Sequence, residues 1–289
     1  MTEAPSIQWF PGHMAKTRRL IKECLPLVDA VVEITDARIP LSSRNPELNK
    51  LIENKPRIVL LNKCDTADDN VTSMWLDYYK KQGIAALATD CRSGKGVRSF
   101  IPLVKTVLSP LLEKRKLKGM AGRPLHIMIV GIPNVGKSSF INRMANSRRT
   151  KVEDRPGVTR NKQWVNLDKD VELLDMPGVL WPKFEDKLVG ERLAFTGAVK
   201  DDVIDLEALT ARLLRHLNKY YRTTLVARYE IDALDEDEGF ELLEKIGKKR
   251  GMLISGGEVN IERAAITVLD EFRSGKLGKI TLELPPRQV

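Results

Sequence analysis

The sequence predicts an α/β domain, a mostly parallel sheet covered by helices, joined to a small C-terminal all-α domain. Three observations predict it. Apolar, β-branched runs alternate with helically spaced ones over roughly the first 180 residues, the pattern of strands connected through helices. One such run, Leu125 to Val130, feeds straight into Gly131-Ile132-Pro133-Asn134-Val135-Gly136-Lys137-Ser138, after which Phe140, Ile141 and Met144 keep helical spacing. Beyond Trp181-Pro182 the strand-like runs stop and helical spacing takes over, which sets a boundary near residue 190 and divides the chain into 1–190 and 191–289.

The elements follow in order. Residues 1–24 form a short basic and aromatic extension in which Trp9 and Phe10 precede a Pro11-Gly12 turn and a helix carrying Lys16, Arg18 and Arg19. Val28 to Ile34 is a strand running into Asp36-Ala37-Arg38, and Arg57 to Leu61 a second strand running into Asn62-Lys63-Cys64-Asp65. Met74, Trp75, Tyr78 and Tyr79 lie on a helix, Ile84 to Ala88 is a third strand, and Val97 to Leu112 is a single helix. Glu113 to Gly122 reads as a polar connector. After the glycine-rich loop come the segment Asp154 to Thr159, strands at Gln163 to Leu167 and Val171 to Leu174, and Asp175-Met176-Pro177-Gly178. In the C-terminal part Leu206, Leu209, Leu213, Leu217 and Tyr220 share one helix face. Ile261, Ala264, Ala265, Val268, Leu269 and Phe272 share another, with Asn260 as its N-cap.

Composition narrows the class. With 42% hydrophobic residues a packed core is available, and no apolar run reaches the roughly 18 to 20 residues of a membrane span. No basic and then apolar leader opens the chain, and Cys24, Cys64 and Cys91 have no C-x-x-C spacing. A cytoplasmic protein with reduced thiols and no membrane partner is expected, with the monomer favoured. The net charge of +9 favours a polyanionic partner, RNA rather than DNA.

The motifs carry the chemistry. Gly131 to Ser138 fits G-x-x-x-x-G-K-[ST] between a strand and a helix, the context of a phosphate-cradling loop. Backbone N–H groups through Val135, Gly136, Lys137, Ser138 and Ser139 would form an anion nest. Lys137 would reach the β- and γ-phosphates, and the Ser138 hydroxyl would bind Mg²⁺. Asn62-Lys63-Cys64-Asp65 matches the guanine-reading N-K-x-D: the Asp65 carboxylate can accept both N1–H and N2–H₂ of guanine, a donor pair that adenine lacks. Asn62 would support the loop while the Lys63 stem packs over the ring. Asp175 to Gly178 is a D-x-x-G at a strand end, where Asp175 would hold Mg²⁺ through water and the Gly178 N–H would bond the γ-phosphate. Thr159 is the candidate second switch, closing on Mg²⁺, and Thr89-Asp90-Cys91 is a loop near the base. The expected ligands are therefore GTP and GDP with Mg²⁺. Val179, where a water-orienting side chain would serve hydrolysis, cannot hydrogen-bond.

The guanine motif near 62 precedes the phosphate loop near 131, so the pieces are those of a P-loop GTPase domain in circularly permuted order. The Trp9-Phe10-Pro11-Gly12-His13-Met14 start, Asp36-Ala37-Arg38 and Trp181-Pro182-Lys183-Phe184 resemble the ribosome biogenesis GTPase A family, most densely between residues 7 and 200, with Ser255-Gly256-Gly257 a weaker match. The resemblance implies late assembly of the large ribosomal subunit, contact with its rRNA, and a small helical bundle at the C-terminus. It also suggests His13 in the place of the missing catalytic group and Asn134 as a K⁺ ligand. The strand carrying Asp175 leads toward the helical domain, so loss of the γ-phosphate is expected to be felt there. Arg212, Arg215, Lys219 and Arg222 form one basic stripe, and Lys245, Lys248, Lys249 and Arg250 a second basic group, both available to phosphates. A small-molecule phosphotransferase without guanine preference and an RNA chaperone with a degenerate nucleotide site are the alternatives. Asn62 to Asp65 opposes the first, and intact Lys137, Ser138 and Asp175 oppose the second.

Overall fold

A computed structural model describes residues 11–52, 55–120, 122–146, 152–153, 163–178 and 186–286. Its internal contacts divide the chain into two compact units. The larger is built on β1 (Ala30–Asp36), β2 (Arg57–Asn62), β3 (Ala85–Thr89), β4 (Leu125–Gly131), β5 (Val152–Glu153), β6 (Gln163–Asp168) and β7 (Val171–Asp175). They form one sheet in the order β3-β2-β1-β4-β7-β6-β5. Pairing is parallel from β3 to β7 and antiparallel only for β6 and β5. Every residue of β1 is buried, as a central parallel strand covered on both faces requires.

Helices cover this sheet. In α1 (Pro11–Cys24) the helix begins at Pro11, whereas the sequence suggested a turn first. Proline is well placed there because first-turn amides have no helical acceptor to lose. Ile21 and Cys24 pack with Val31 and Leu48 and with Met128 of β4. α2 (Pro46–Ile52) supplies Leu48 and Ile52 to the same cluster. α3 (Asp69–Lys81) is capped by Asp68, which accepts from the N–H groups of Asn70 (2.8 Å) and Val71 (3.1 Å), and it buries Trp75 and Tyr79. The helix expected over Val97 to Leu112 is two helices, α4 (Phe100–Val107) and α5 (Ser109–Leu117). Pro110 causes the break: it lacks an N–H for the preceding turn but fits the first turn of a new helix. That new helix also absorbs half of the supposed connector. α6 (Lys137–Asn146) starts at the phosphate-loop lysine.

The smaller unit contains α7 (Lys187–Phe195), α8 (Leu206–Tyr220), α9 (Arg222–Tyr229), α10 (Gly239–Lys249) and α11 (Ile261–Ser274). Leu209, Leu213 and Leu217 of α8 are buried as their spacing predicts, and Ala264, Ala265, Val268, Leu269 and Phe272 of α11 likewise. Asn260 caps α11 by accepting from the Arg263 N–H at 2.9 Å. Tyr220, placed on the apolar face from its spacing, is instead 61% exposed. Two short stretches cross the sequence boundary between the units. Asp65–Ala67 counts with the helices, where Thr66 O accepts from Ile280 N–H (3.0 Å), and the chain from Glu283 counts with the sheet. No helix among the described residues is long and apolar enough to cross a membrane.

Candidate nucleotide site

Parallel pairing puts the C-terminal ends of five strands at one sheet edge. Asp36 lies beside Asn62, Asn62 beside Thr89, Ile34 beside Gly131, and Ile129 beside Asp175. The loops that follow β1, β2, β3, β4 and β7 therefore leave the sheet on the same side, where α/β sheets bind ligands. Asp36 to Arg38, Asn62 to Asp65, Thr89 to Cys91, Gly131 to Ser138 and Asp175 to Gly178 all begin at these strand ends.

The guanine motif and the phosphate loop touch. Asn62 donates from Nδ2 to Val135 O (2.8 Å), and Lys63 donates from Nζ to Asn134 O (2.7 Å). The Asn62 amide is oriented from behind: its Oδ1 accepts from Thr89 Oγ1 (3.3 Å) and from Cys91 Sγ (3.1 Å). Gly136 has φ 93°, and a Cβ there would stand 2.3 Å from Asn62 Nδ2, so glycine is needed both for conformation and for this approach. Lys63 (φ 61°) and Asn134 (φ 58°) also occupy the left-handed region. That costs an L-residue about 1–2 kcal/mol each, so surrounding contacts must hold them.

The phosphate loop itself ends in a helix N-terminus. Phe140 N–H donates to Gly136 O (2.9 Å), which makes Gly136 the N-cap and leaves the amides that follow it without helical acceptors. Ser138 and Ser139 are exposed, as is Asn134. Lys137 and Asp175 form a close ion pair. Gly178 lies against the loop, with a Cβ there only 3.3 Å from Pro133 N. Asp90 is spent on its own loop: its carboxylate accepts from the Arg92 (2.7 Å) and Ser93 (2.9 Å) amides. Burial, the largest single influence, pushes the Asp90 carboxyl up, but the Ser93 and Arg92 hydrogen bonds together outweigh it and its pKa lies below the usual carboxylate value. Arg143 of α6 braces the same loop through Ser93 O at 2.9 Å, a contact without any local sequence signal.

Asp36 and Arg38 are the residues that sequence reasoning used only as a likeness. Both are 1% exposed, and Arg38 clasps the Asp36 carboxylate through Nε (2.9 Å) and Nη2 (2.8 Å). Lys63 Nζ lies 3.0 Å from Asp36 Oδ2. Burial alone would raise the Asp36 carboxyl, but the Arg38 and Lys63 charges and the Arg38 hydrogen bonds hold it well below the usual carboxylate range. Thr159, Val179, Trp9, Phe10 and Trp181 to Phe184 lie outside the described residues. His13 is in α1, with its side chain outside them too.

The basic groups of the helical unit are largely answered by acids. Arg212 pairs with Glu191 (2.9 Å), Lys245 with Asp237 (2.6 Å), Lys249 with Glu230 (3.3 Å), and Arg222 closely with Asp235. Arg215, 71% exposed, is 3.7 Å from an equally open Glu238, and Lys219 lies over the Tyr220 ring at 5.2 Å.

A sheet edge that presents N-K-x-D beside G-x-x-x-x-G-K-S, with the first met earlier in the chain, defines a P-loop GTPase of circularly permuted motif order. Comparison with known proteins agrees: the family described as 50S ribosome-binding GTPase matches residues 126–244. Ribosome biogenesis GTPase A of Priestia megaterium is 50% identical over 281 residues, covering 97% of each chain. The protein of that name from Thermotoga maritima is 32% identical, covering 96% of this chain and 95% of its own. Among solved structures, GDP-bound TM YlqF superposes with a TM-score of 0.69 at 29% identity, covering 92% of this chain and 99% of its own. The chain belongs to the ribosome biogenesis GTPase A family, and it is a GTPase.

Proposed function

We propose that this chain acts in late maturation of the large ribosomal subunit, binding the precursor particle and its rRNA in a nucleotide-dependent way and leaving when GTP is hydrolysed. The observation that carries the reading is the pair of bonds from Asn62 and Lys63 to Val135 and Asn134, which joins a base-reading loop to a phosphate loop at one sheet edge. The names of the relatives supply the ribosomal context.

Within that reading, Asp65 accepts from guanine N1–H and N2–H₂, and the Lys63 stem covers the ring. The loop at Thr89, Asp90 and Cys91 lines the base. Amides from Asn134 to Ser139 receive the phosphates, Lys137 turns from Asp175 to the β- and γ-oxygens, and the Gly178 N–H meets the γ-phosphate. An exposed hydroxyl at Ser138 and a strand-end carboxylate at Asp175 are hard oxygen donors that suit Mg²⁺ held mainly by phosphate and water, with Thr159 closing the set. Bound magnesium neutralises charge that develops on the transferring phosphoryl oxygens. His13 orients the attacking water, and Asn134 contributes to a K⁺ position. The helical region from about 191 meets rRNA, with exposed Arg215 and Lys219 as its phosphate contacts.

The test has two arms. Equilibrium binding of GTP and ATP analogues should show guanine preference, and turnover should rise with large-subunit particles and in potassium over sodium. Co-sedimentation with those particles should be strong with a GTP analogue and weak with GDP. Equal affinity for both bases, or particle binding indifferent to nucleotide, overturns the reading; equal rates in both salts removes Asn134 from its role.

A further inference from the structure

The loop leaving β1 is built as a support for Lys63. Asp36 stands at the end of that strand, directly beside Asn62 in the parallel register. One carboxylate oxygen of Asp36 takes the Arg38 Nε and the Arg38 backbone N–H (2.9 and 3.0 Å). The other takes Arg38 Nη2 (2.8 Å) and stands 3.0 Å from Lys63 Nζ. Lys63 Nζ then reaches Asn134 O at 2.7 Å, the bond that ties the guanine loop to the phosphate loop. Ala37 N–H also donates to Asn62 O (2.8 Å), so backbone and side chain of one loop hold two successive residues of N-K-x-D. The Asp36 backbone N–H in turn donates to Ser43 Oγ (3.0 Å), and Ser43 Oγ donates to Ile39 O (2.7 Å), which closes the loop on itself.

Such an arrangement has a cost that stability alone does not explain. Replacing a fully buried ion pair by apolar residues of the same size is often neutral or stabilising. What the fixed geometry of the pair does hold is a third charge, Lys63, a half-buried residue in a backbone conformation that L side chains rarely adopt. Without Asp36, the Lys63 ammonium would lose the carboxylate that stands 3.0 Å from it and regain rotamer freedom.

We propose that Asp36 is a positioning residue for guanine nucleotide binding, acting through Lys63, and that Arg38 serves by fixing Asp36. It rests on the reading that Asn62 to Asp65 and the phosphate loop enclose one guanine nucleotide. Asp36 touches neither base nor phosphate in this scheme. Its role is to keep the Lys63 stem extended over the ring plane and its head on the Asn134 carbonyl, so that the cleft is preformed before nucleotide arrives.

The experiment is equilibrium binding of fluorescent GDP and ADP analogues, with Mg²⁺, to the full chain. The variants are Asp36→Asn, Asp36→Asn with Arg38→Met, Lys63→Met, and the first two combined with Lys63→Met. Wild type should prefer the guanine analogue; if it does not, the nucleotide reading itself fails and this proposal with it, before any variant is considered. Asp36→Asn should weaken GDP binding by about ten-fold or more, the scale of a lost charge-assisted bond. Because that change leaves Arg38 buried without its acid, the variant that removes both charges is the decisive one, with thermal melting to verify folding. The sharp readout is coupling: in the Lys63→Met background both Asp36 changes should alter affinity less than about two-fold. A folded double variant that binds GDP like wild type, or Asp36 effects that simply add to the Lys63 effect, overturns the assignment.

Discussion

His216 lies in α8 with its ring 4.8 Å from that of Tyr220, half-buried between cationic neighbours. Burial first, then the Arg192 and Lys219 charges, pull its pKa from 6.5 down to about 4. Between those values the unfolded chain binds a proton that the folded chain refuses, so stability rises with pH across the window and is lost as pH falls from about 6.5 toward 4. With a discount for the exposed part of the ring, the loss is about 2 kcal/mol. Urea unfolding at pH 7 and pH 5 should show it, and His216→Leu should flatten that part of the profile. A slope that survives the substitution would assign the acid sensitivity to other groups.

At the scale of elements, α8 and α10 meet through a glycine. A Cβ on Gly239 would stand 1.9 Å from Ala211 O, so the two helices approach closer there than any other residue permits. Gly239→Ala should cost roughly 1–3 kcal/mol or more through forced backbone movement, despite alanine's better helix propensity. Thermal melting checks this, and a variant as stable as wild type would contradict the packing. Helices α2, α7 and α9 were not read from the sequence, whereas α3, α6, α8 and α11 were legible in it, because apolar spacing and the Asn260 cap are local signals. So were the strand–loop junctions, where N-K-x-D and G-x-x-x-x-G-K-S fall at strand ends. What spacing cannot report is the identity of distant partners. Arg212, Lys245 and Lys249 look like a bare basic surface along the chain, yet each meets an acid brought in by another segment. Asp36 and Arg38 are charged residues at the end of a strand, and nothing along the chain signals that both are buried. Pro110 was present in the sequence, but a proline can kink, end or begin a helix, and only packing decided which.

At the scale of the whole molecule, the side-chain bonds that span most sequence among the described residues are those of Glu283. Its carboxylate accepts from the N–H groups of Leu41 (2.7 Å) and Ser42 (3.1 Å) and closely from the Ser42 hydroxyl. Its backbone O accepts from Trp75 Nε1 at 2.9 Å. Removing the chain from Glu283 onward would leave the buried Ser42 and Trp75 donors unmet, at about 1–3 kcal/mol each, and release the more open Leu41 N–H to water. The expected outcome is a lower melting temperature of the sheet unit with a red-shifted Trp75 emission, although every strand remains. An unchanged melt and spectrum would show that the contacts carry no weight. Domains generally fold as units while the N-terminal part is still being synthesised. Here a donor set from residues 41, 42 and 75 waits for an acceptor made more than two hundred positions later. Until translation has passed residue 283, a nascent chain therefore holds those donors without the acceptor that meets them in the folded unit, although all seven strands are already made.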